Sequence, residues 1–285
     1  MKKIITKGFV NKETGEFFDV SELIEVKESN DVKNSFKSIQ NTNDYINDNL
    51  GYYFHLLYGD ILKLDLEPQM LVRFLYLCSY MNYQYTLVSG NTKAQKKISE
   101  SELQDILKLN KTTFFETKKY LLDNNLIIIE DNKIKIDDKF VKKGKGVLKG
   151  DLINMEVTRI FNNGIQDLYN GVKPIQHKKL ETFIRILPFI NIKYNIICEN
   201  PLETDIEKVK PLKWTELGRL IGLSPATSKR LRSELWSLKV NDSVAIGEFS
   251  TFLCGKSIVI NPSVYYKGNN IDDLAGIVNM FKVRR

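Results

Sequence analysis

Residues 214–225 read WTELGRLIGLSP and decide the fold of the C-terminal half of the chain. The apolar residues have helical spacing up to Gly222, which suits the left-handed conformation that ends a helix. Ser224 then offers an N-cap oxygen, and Pro225 fits the first position of a new helix, where its missing N–H costs nothing. The spacing predicts two helices joined by a short turn, with Gly218 where they approach closely. This arrangement is typical of a DNA-binding helix-turn-helix.

The second of these helices, predicted from Pro225 to about Leu238, has two different faces. One face carries the predicted core contacts, which are Thr227, Leu231, Leu235 and Leu238. The opposite face mixes small, polar and cationic side chains that suit base edges and phosphates. After the capping Ser224 it comprises Ala226, Lys229, Arg230 and Ser233, flanked by Arg232 and Trp236. The alternative is the solvated face of an ordinary amphipathic helix, but the cap, the glycine turn and the cations together favour contact with DNA.

An earlier part of the chain repeats this pattern. Tyr80-Met81-Asn82 reappears as Phe189-Ile190-Asn191, and the strand-like Ile134–Ile136 reappears as Ile258–Ile260. The separation between matched residues only grows along the chain, as insertions in loops would produce. Two copies of one domain are therefore predicted at 67–144 and 175–268, each with three helices followed by a hairpin.

The first copy carries a weaker version of the helix-turn-helix motif. Ser99 and Glu102 predict a capping box before a helix at 100–107, but Lys108 stands where the second copy has Gly222. The next helix is predicted from Lys111 to about Asn124. Its outward residues are Thr112, Phe115, Glu116 and Lys119, with Lys118 at the flank. Phe115 would either touch a thymine methyl group or pack against the neighbouring domain.

Strand-like segments follow each second helix and predict the hairpins, or wings, of winged-helix domains. The first hairpin combines Leu126–Glu130 with Ile134–Ile136, and the second combines Val244–Ile246 with Ser257–Ile260. Lysines between the two copies and near the second hairpin are candidate phosphate contacts. They are Lys142, Lys143, Lys145, Lys149 and Lys256. For those between the copies, a solvated linker is the alternative.

Changes in composition predict the domain boundaries. Residues 1–50 combine a hairpin at 8–20 with an acidic, polar arm. The first winged-helix domain is predicted at 51–144, a basic linker and connecting helix at 145–174, and the second domain at 175–285. The fold class is mainly α with small β-hairpins, or α+β, built from tandem winged helix-turn-helix domains. The apolar run Tyr52–Leu62 predicts a helix that packs on the first domain and would allow a homodimer.

The composition of the whole chain restricts the class of protein. Residues 1–60 hold 7 Lys against 10 Asp and Glu, a net −3, so the remainder must hold +10 to give the total of +7. A basic body with an acidic leader fits a polyanionic partner. The sequence contains no apolar stretch long enough to span a bilayer and no signal-like start, which predicts a cytoplasmic protein with no membrane contact.

The sequence contains no pattern typical of an enzyme or a metal site. Its three cysteines are far apart, and His55 and His177 are its only histidines. It has no C-x-x-C or H-E-x-x-H pair, no Walker lysine loop and no G-x-S-x-G elbow. We therefore expect a protein that is not an enzyme and needs neither a metal nor another cofactor.

The second copy resembles winged-helix proteins of phages and plasmids. The resemblance lies in residues 190–201, in the turn 222–224 and in a segment from Ile260-Asn261-Pro262 to Lys267-Gly268. With Thr14-Gly15-Glu16 near its start, the chain is similar to RepL-type replication initiators, although the first copy has Asp137-Asp138 in place of Asn-Pro. The resemblance implies binding to double-stranded DNA in replication initiation or transcription regulation, with the replication or transcription machinery as a further partner.

Three functions remain open from the sequence. They are a replication initiator that recognises an origin, a transcription regulator, and a winged-helix module that binds another protein instead of DNA. Two unequal modules in one chain suit a monomer on a non-palindromic or repeated site, which favours the initiator.

Overall fold

The computed structural model describes residues 8–10, 17–19, 44–90, 94–131, 133–144, 156–251, 255–268 and 270–282. The chain divides into two compact units, residues 1–45 and residues 46–285. Helices and small antiparallel sheets make it a mixed α+β protein, as predicted. Among the helices described, none is both long and apolar enough to cross a membrane.

The first unit contains the predicted N-terminal hairpin. Strand β1 (Gly8–Val10) pairs antiparallel with β2 (Phe17–Asp19). The predicted turn at 13–15 and most of the polar arm lie outside the described residues. A short helix, α1, follows at 44–50.

A four-stranded antiparallel sheet lies at the centre of the second unit. Its middle strands are β3 (Tyr53–Leu57) and β9 (Val157–Phe161), paired along their whole length. The outer strands are β8 (Val141–Lys142) beside β3 and β14 (Tyr265–Tyr266) beside β9. Each half of the chain therefore contributes two neighbouring strands to one sheet.

The prediction of a helix at Tyr52–Leu62 is wrong. This run forms strand β3 and only one helical turn, α2 (Tyr58–Ile61). Phe54 and Leu56 are buried, because neighbouring strands cover both edges of β3 and packed side chains cover its faces, and Ile61 of α2 is buried as well. An uninterrupted apolar run is compatible with a buried strand as well as with a helix. The segment offers no exposed apolar helix for a homodimer.

The first half alternates helices with short pairs of strands. Helix α3 (Pro68–Cys78) is buried over most of its length and is followed by the paired strands β4 (Val88–Ser89) and β5 (Lys96–Lys97). Helices α4 (Glu100–Leu107) and α5 (Lys111–Asp123) come next. Strands β6 (Ile127–Glu130) and β7 (Lys133–Ile136) form the predicted first hairpin.

The second half has a similar order. The predicted connecting helix is α6 (Asn162–Asn170), but β9 precedes it within the segment expected to be linker. Short helices α7 (His177–Leu180) and α8 (Thr182–Arg185) take the place of α3. The later helices are α9 (Trp214–Leu220), α10 (Pro225–Trp236) and α11 (Ile271–Lys282).

The second hairpin is longer than predicted. Its strands are β12 (Ile246–Thr251) and β13 (Gly255–Ile260). Val244, expected in the same strand as Ile246, instead belongs to β11 (Ser243–Val244), which pairs with β10 (Lys239–Val240). Residues 134–136 and 258–260 are both extended, as predicted for the two hairpins.

Matching hydrogen bonds occur in the two halves. The backbone N–H of Leu87 donates to the carbonyl of Ile134 and that of Ile197 donates to the carbonyl of Ile258, each over 2.8 Å, so the same type of bond joins an extended segment to each hairpin. Across the central sheet, the N–H of Tyr58 donates to the carbonyl of Glu156 and that of Asn162 donates to Tyr52, each over 2.9 Å. These bonds extend the antiparallel pairing of β3 and β9 at both ends.

One hydrophobic core runs through both halves. Tyr76 of α3 stacks on Tyr169 of α6 with ring centroids 3.7 Å apart. The hydroxyl of Tyr169 donates to the carbonyl of Leu107 over 2.8 Å. The two halves therefore form a single body in which each supplies part of the other's interior.

Candidate nucleic-acid interface

The turn between α9 and α10 has the predicted geometry. Gly222 has a φ of 80°, in the left-handed region that favours glycine. The Ser224 hydroxyl accepts from the backbone N–H of Thr227 over 3.2 Å, and Pro225 occupies the first turn of α10. The backbone N–H of Leu223 donates to the carbonyl of Gly218 over 2.8 Å, which closes the turn on α9. These local signals fix where α10 begins.

Helices α9 and α10 approach closely at Gly218, as predicted. A Cβ atom at Gly218 would lie only 2.3 Å from the hydroxyl oxygen of Ser228. Ser228 is buried, and its hydroxyl donates to the carbonyl of Ser224 over 2.9 Å. Helical spacing assigned Thr227 to the core face and missed Ser228. The small side chain of Ser228 on α10, together with Gly218 on α9, could have predicted this close contact between the helices.

The packing of α10 directs its cationic face outward. Leu231, Leu235 and Leu238 are buried. The opposite face is exposed, as predicted, and consists of Ala226, Lys229, Arg230, Arg232 and Ser233. Lys229 and Arg230 form no ion pair with any residue that the structure describes. The Ser233 hydroxyl donates to the carbonyl of Arg230 over 2.9 Å, so it is partly engaged by its own helix.

An acidic residue of the hairpin lies between two of the candidate cations. One carboxylate oxygen of Glu248 on β12 lies 2.8 Å from the Lys256 ammonium. The other lies 3.0 Å from a guanidinium nitrogen of Arg232, which also stacks over the ring of Trp236 at 4.5 Å. Arg232 and Lys256 are thus joined through Glu248 at the junction of helix and hairpin.

In the first half, α4 and α5 form an equivalent helix pair. The predicted capping box is present, since Ser99 and Glu102 each bind the other's backbone N–H. Lys108 takes a left-handed conformation, with a φ of 52°, at the position corresponding to Gly222. Asn110 caps α5 by accepting from the backbone N–H of Thr113 over 2.9 Å. The same turn is therefore built without glycine.

The outer face of α5 differs in charge from that of α10. Thr112, Phe115, Glu116 and Lys119 are exposed as predicted. Lys118 forms an ion pair with Glu100 and lies over the Phe115 ring. Phe115 remains 48% exposed, so it does not pack into the other half. This face therefore presents an aromatic ring with little net positive charge.

Besides Lys256, two further candidate phosphate contacts have intramolecular partners. The Lys142 ammonium lies 2.6 Å from a carboxylate oxygen of Asp138. That of Lys143 turns inward and donates to the carbonyl of Met81 over 2.5 Å, and burial lowers its pKa to about 8. Lys143 is not placed to meet a phosphate, which corrects the prediction. Lys145 and Lys149 lie outside the described residues.

The second half has its own inward-facing lysine. The Lys267 ammonium donates to the Tyr58 hydroxyl over 2.9 Å and to the carbonyl of Leu187 over 2.6 Å. Burial lowers its pKa to about 7. Lys143 and Lys267 each precede a glycine after the last sheet strand of their half, so the Lys-Gly segments tie the sheet to the helical layer. From the sequence, Lys143 was predicted to contact phosphate and Lys267 was only part of the segment that carries the resemblance. Their burial could not be predicted, because it depends on tertiary packing.

The histidines are structural. His55 and His177 are buried, and burial lowers the pKa of each to about 4, so both are neutral near pH 7. Within the described ranges, no group of three or more His, Cys, Asp or Glu side chains could hold a metal ion.

The chain matches no family model, and no curated protein or solved structure matches it.

Proposed function

We propose that residues 46–285 form a double-stranded DNA-binding protein with two winged helix-turn-helix modules. The order of elements supports this proposal. In each half a helical segment is followed by an extended segment, two helices joined by a tight turn, and an antiparallel hairpin. The bonds from Leu87 to Ile134 and from Ile197 to Ile258 join the extended segment to the hairpin, as the winged-helix arrangement requires. Helices α5 and α10 are the recognition helices in this proposal.

The observation that carries the proposal is the outer face of α10. Lys229 and Arg230 are exposed and have no carboxylate partner within the described structure, while Leu231 and Leu235 anchor the helix beneath them. A long cationic side chain on a helix that enters the major groove can bind the O6 and N7 acceptors of guanine. Small Ala226 lets the N-terminal part of the helix approach the bases.

The first module would make a different kind of base contact. Phe115 corresponds in position to Lys229 and stays exposed, which suits an apolar contact with a thymine methyl group. Lys119 is the exposed cation beside it. The two modules would therefore read unlike sequences, in keeping with a single chain on a non-palindromic or repeated site. We propose a role in replication initiation or transcription regulation. A non-palindromic or repeated site favours replication initiation.

Binding to another protein is a second candidate function, supported by the exposed apolar side chains of Phe115 and Leu220 on the helix pairs. An exposed aromatic ring beside a neutralised cation is a common feature of protein interfaces. This candidate differs from the first in needing neither Lys229 nor Arg230.

The test is sequence-selective binding to DNA duplexes. A duplex is selected from fragmented DNA with the wild-type protein, and affinity is then measured over a salt series. Arg230→Ala should cost ~1–3 kcal/mol and relax specificity at one base pair if Arg230 makes a bidentate base contact. Lys118→Ala removes the same charge from the other module, but Glu100 already neutralises Lys118, so it should have a smaller effect.

Folding of each variant is checked by thermal melting. A folded Lys229→Ala, Arg230→Ala double variant with unchanged affinity and salt dependence would show that α10 does not read DNA. Binding to another protein would then be the better-supported function.

A further inference from the structure

Glu248 on β12 forms ion pairs at the edge of the outer face of α10, and its neighbour in the strand shows which way it points. Side chains alternate along a strand, and the next residue, Phe249, packs against Phe281 of α11 with ring centroids 5.0 Å apart. Glu248 therefore points to the opposite side, where α10 lies. Its side chain is only 10% exposed. A carboxylate so placed is costly to bury unless cations compensate it.

Two cations compensate it, and both keep much of their surface in solvent. Lys256 and Arg232 bind opposite oxygens of the carboxylate, and their side chains are 65% and 50% exposed. The Glu248 oxygen facing Arg232 is at ion-pair distance but is not aligned for a hydrogen bond. Glu248 therefore holds the guanidinium of Arg232 in place while leaving its N–H donors able to bind a ligand.

Besides Glu248, a second contact restricts Arg232. Its guanidinium lies 4.5 Å from the centre of the Trp236 ring, in a cation–π position. Long cationic side chains lose considerable rotamer entropy when they bind a ligand, and side chains held in place beforehand lose less. Here a cation of the recognition helix and a cation of the hairpin are both held before any ligand arrives.

We propose that Arg232 and Lys256 form one phosphate-binding site for the DNA backbone, with Glu248 as its positioning residue. The ligand is a phosphodiester group of the duplex bound by α10, so this inference rests on the proposed function. The two cations and one carboxylate leave a net charge of +1, which matches a single phosphodiester. Glu248 makes no contact with the DNA and acts by holding the two cations in one geometry.

Glu248→Gln separates positioning from simple charge. Removing a negative charge near DNA raises affinity if charge alone matters. If Glu248 positions the two cations, the variant should instead bind the selected duplex about threefold to tenfold more weakly, and the slope of log K against log salt should fall by up to about one unit. Glu234→Gln is the matched control. Glu234 lies on α10, the helix that carries Arg232, and forms no ion pair among the described residues. Its variant should therefore bind equally well or slightly better.

A double-mutant cycle distinguishes positioning from a general structural effect. In a protein that already carries Arg232→Gln and Lys256→Gln, Glu248→Gln should cause no further loss of affinity. An equal loss in that background would overturn the proposal, because the effect of Glu248 would not pass through the cations. Thermal melting of every variant identifies loss of folding.

The outcomes also separate this inference from the proposed function. A wild-type protein that binds no duplex at low salt would overturn both. A wild-type protein that binds its duplex while Glu248→Gln binds as tightly or more tightly would overturn the phosphate site alone.

Discussion

The helix pairs α4–α5 and α9–α10 have the same order and the same capped turn, but they differ in how they are packed and charged. In the second pair the helices cross at Gly218 and Ser228, whereas in the first the corresponding positions hold Gln104 and Phe114. On the outer faces, Lys229 and Arg230 correspond to Phe115 and Glu116. The two helix pairs thus share a turn geometry but present different surface chemistry.

The largest expected difference concerns the helix crossing. Gly218→Leu would force a side chain into the space of Ser228 and should lower the free energy of unfolding by ~1–3 kcal/mol or more. Gln104→Leu in the first pair should cost about 1 kcal/mol or less, since its half-exposed side chain loses one hydrogen bond to the Leu109 carbonyl. Urea unfolding of both variants measures the two changes. Equal losses would mean that the two crossings are packed alike.

A pH-dependent difference is expected from the inward-facing lysines. In the folded chain the pKa of Lys267 is lowered to about 7 and that of Lys143 to about 8, against 10.5 when unfolded. Between the folded and unfolded pKa the unfolded chain binds more protons, so stability rises with pH through this range. Each lysine contributes a slope of at most about 1.4 kcal/mol per pH unit.

Lys267→Met should flatten this rise from about pH 7 upward, and Lys143→Met should flatten it only from about pH 8. The measurement is the free energy of unfolding between about pH 6.5 and pH 8.5, compared with the wild type at each pH so that the titration of the thiols, which begins within this range, cancels. A profile of the Lys267→Met protein parallel to that of the wild type would show that this ammonium is not desolvated.

The smallest expected difference lies in the two turns. Lys108 adopts a left-handed backbone that costs a side-chain-bearing residue ~1–2 kcal/mol. Lys108→Gly should therefore stabilise the protein by about 0.5–1 kcal/mol, after the greater entropy of glycine in the unfolded chain is counted. Gly222→Ala should destabilise it by a similar amount, because no neighbouring atom obstructs a Cβ there and only the backbone conformation opposes it. Thermal melting would show opposite shifts, and shifts of the same sign would refute this account.

The sequence predicted those elements whose signals are local. Gly222 and Ser224 located the turn before α10, and the alternating residues of 127–136 predicted the first hairpin. Strand β3 was missed because its run of apolar residues has no distinguishing period, and only pairing with β9 makes it a strand. In the candidate site, too, local signals were predictive and long-range contacts were not. Lys229 and Arg230 were predicted from helix periodicity, but the inward turn of Lys143 depends on a carbonyl 62 residues away in the chain.

The pairing of β3 with β9 also limits how this chain can be divided. Cutting it between the halves would leave each with a bare strand edge of five residues, since β3 and β9 are both that long. Such an edge is a template for association with any other extended chain. Either half produced alone would therefore aggregate or bind a second copy through this edge, and the two halves mixed together would recombine through the same backbone bonds. The two halves differ in surface chemistry, but each needs the other to complete the central sheet.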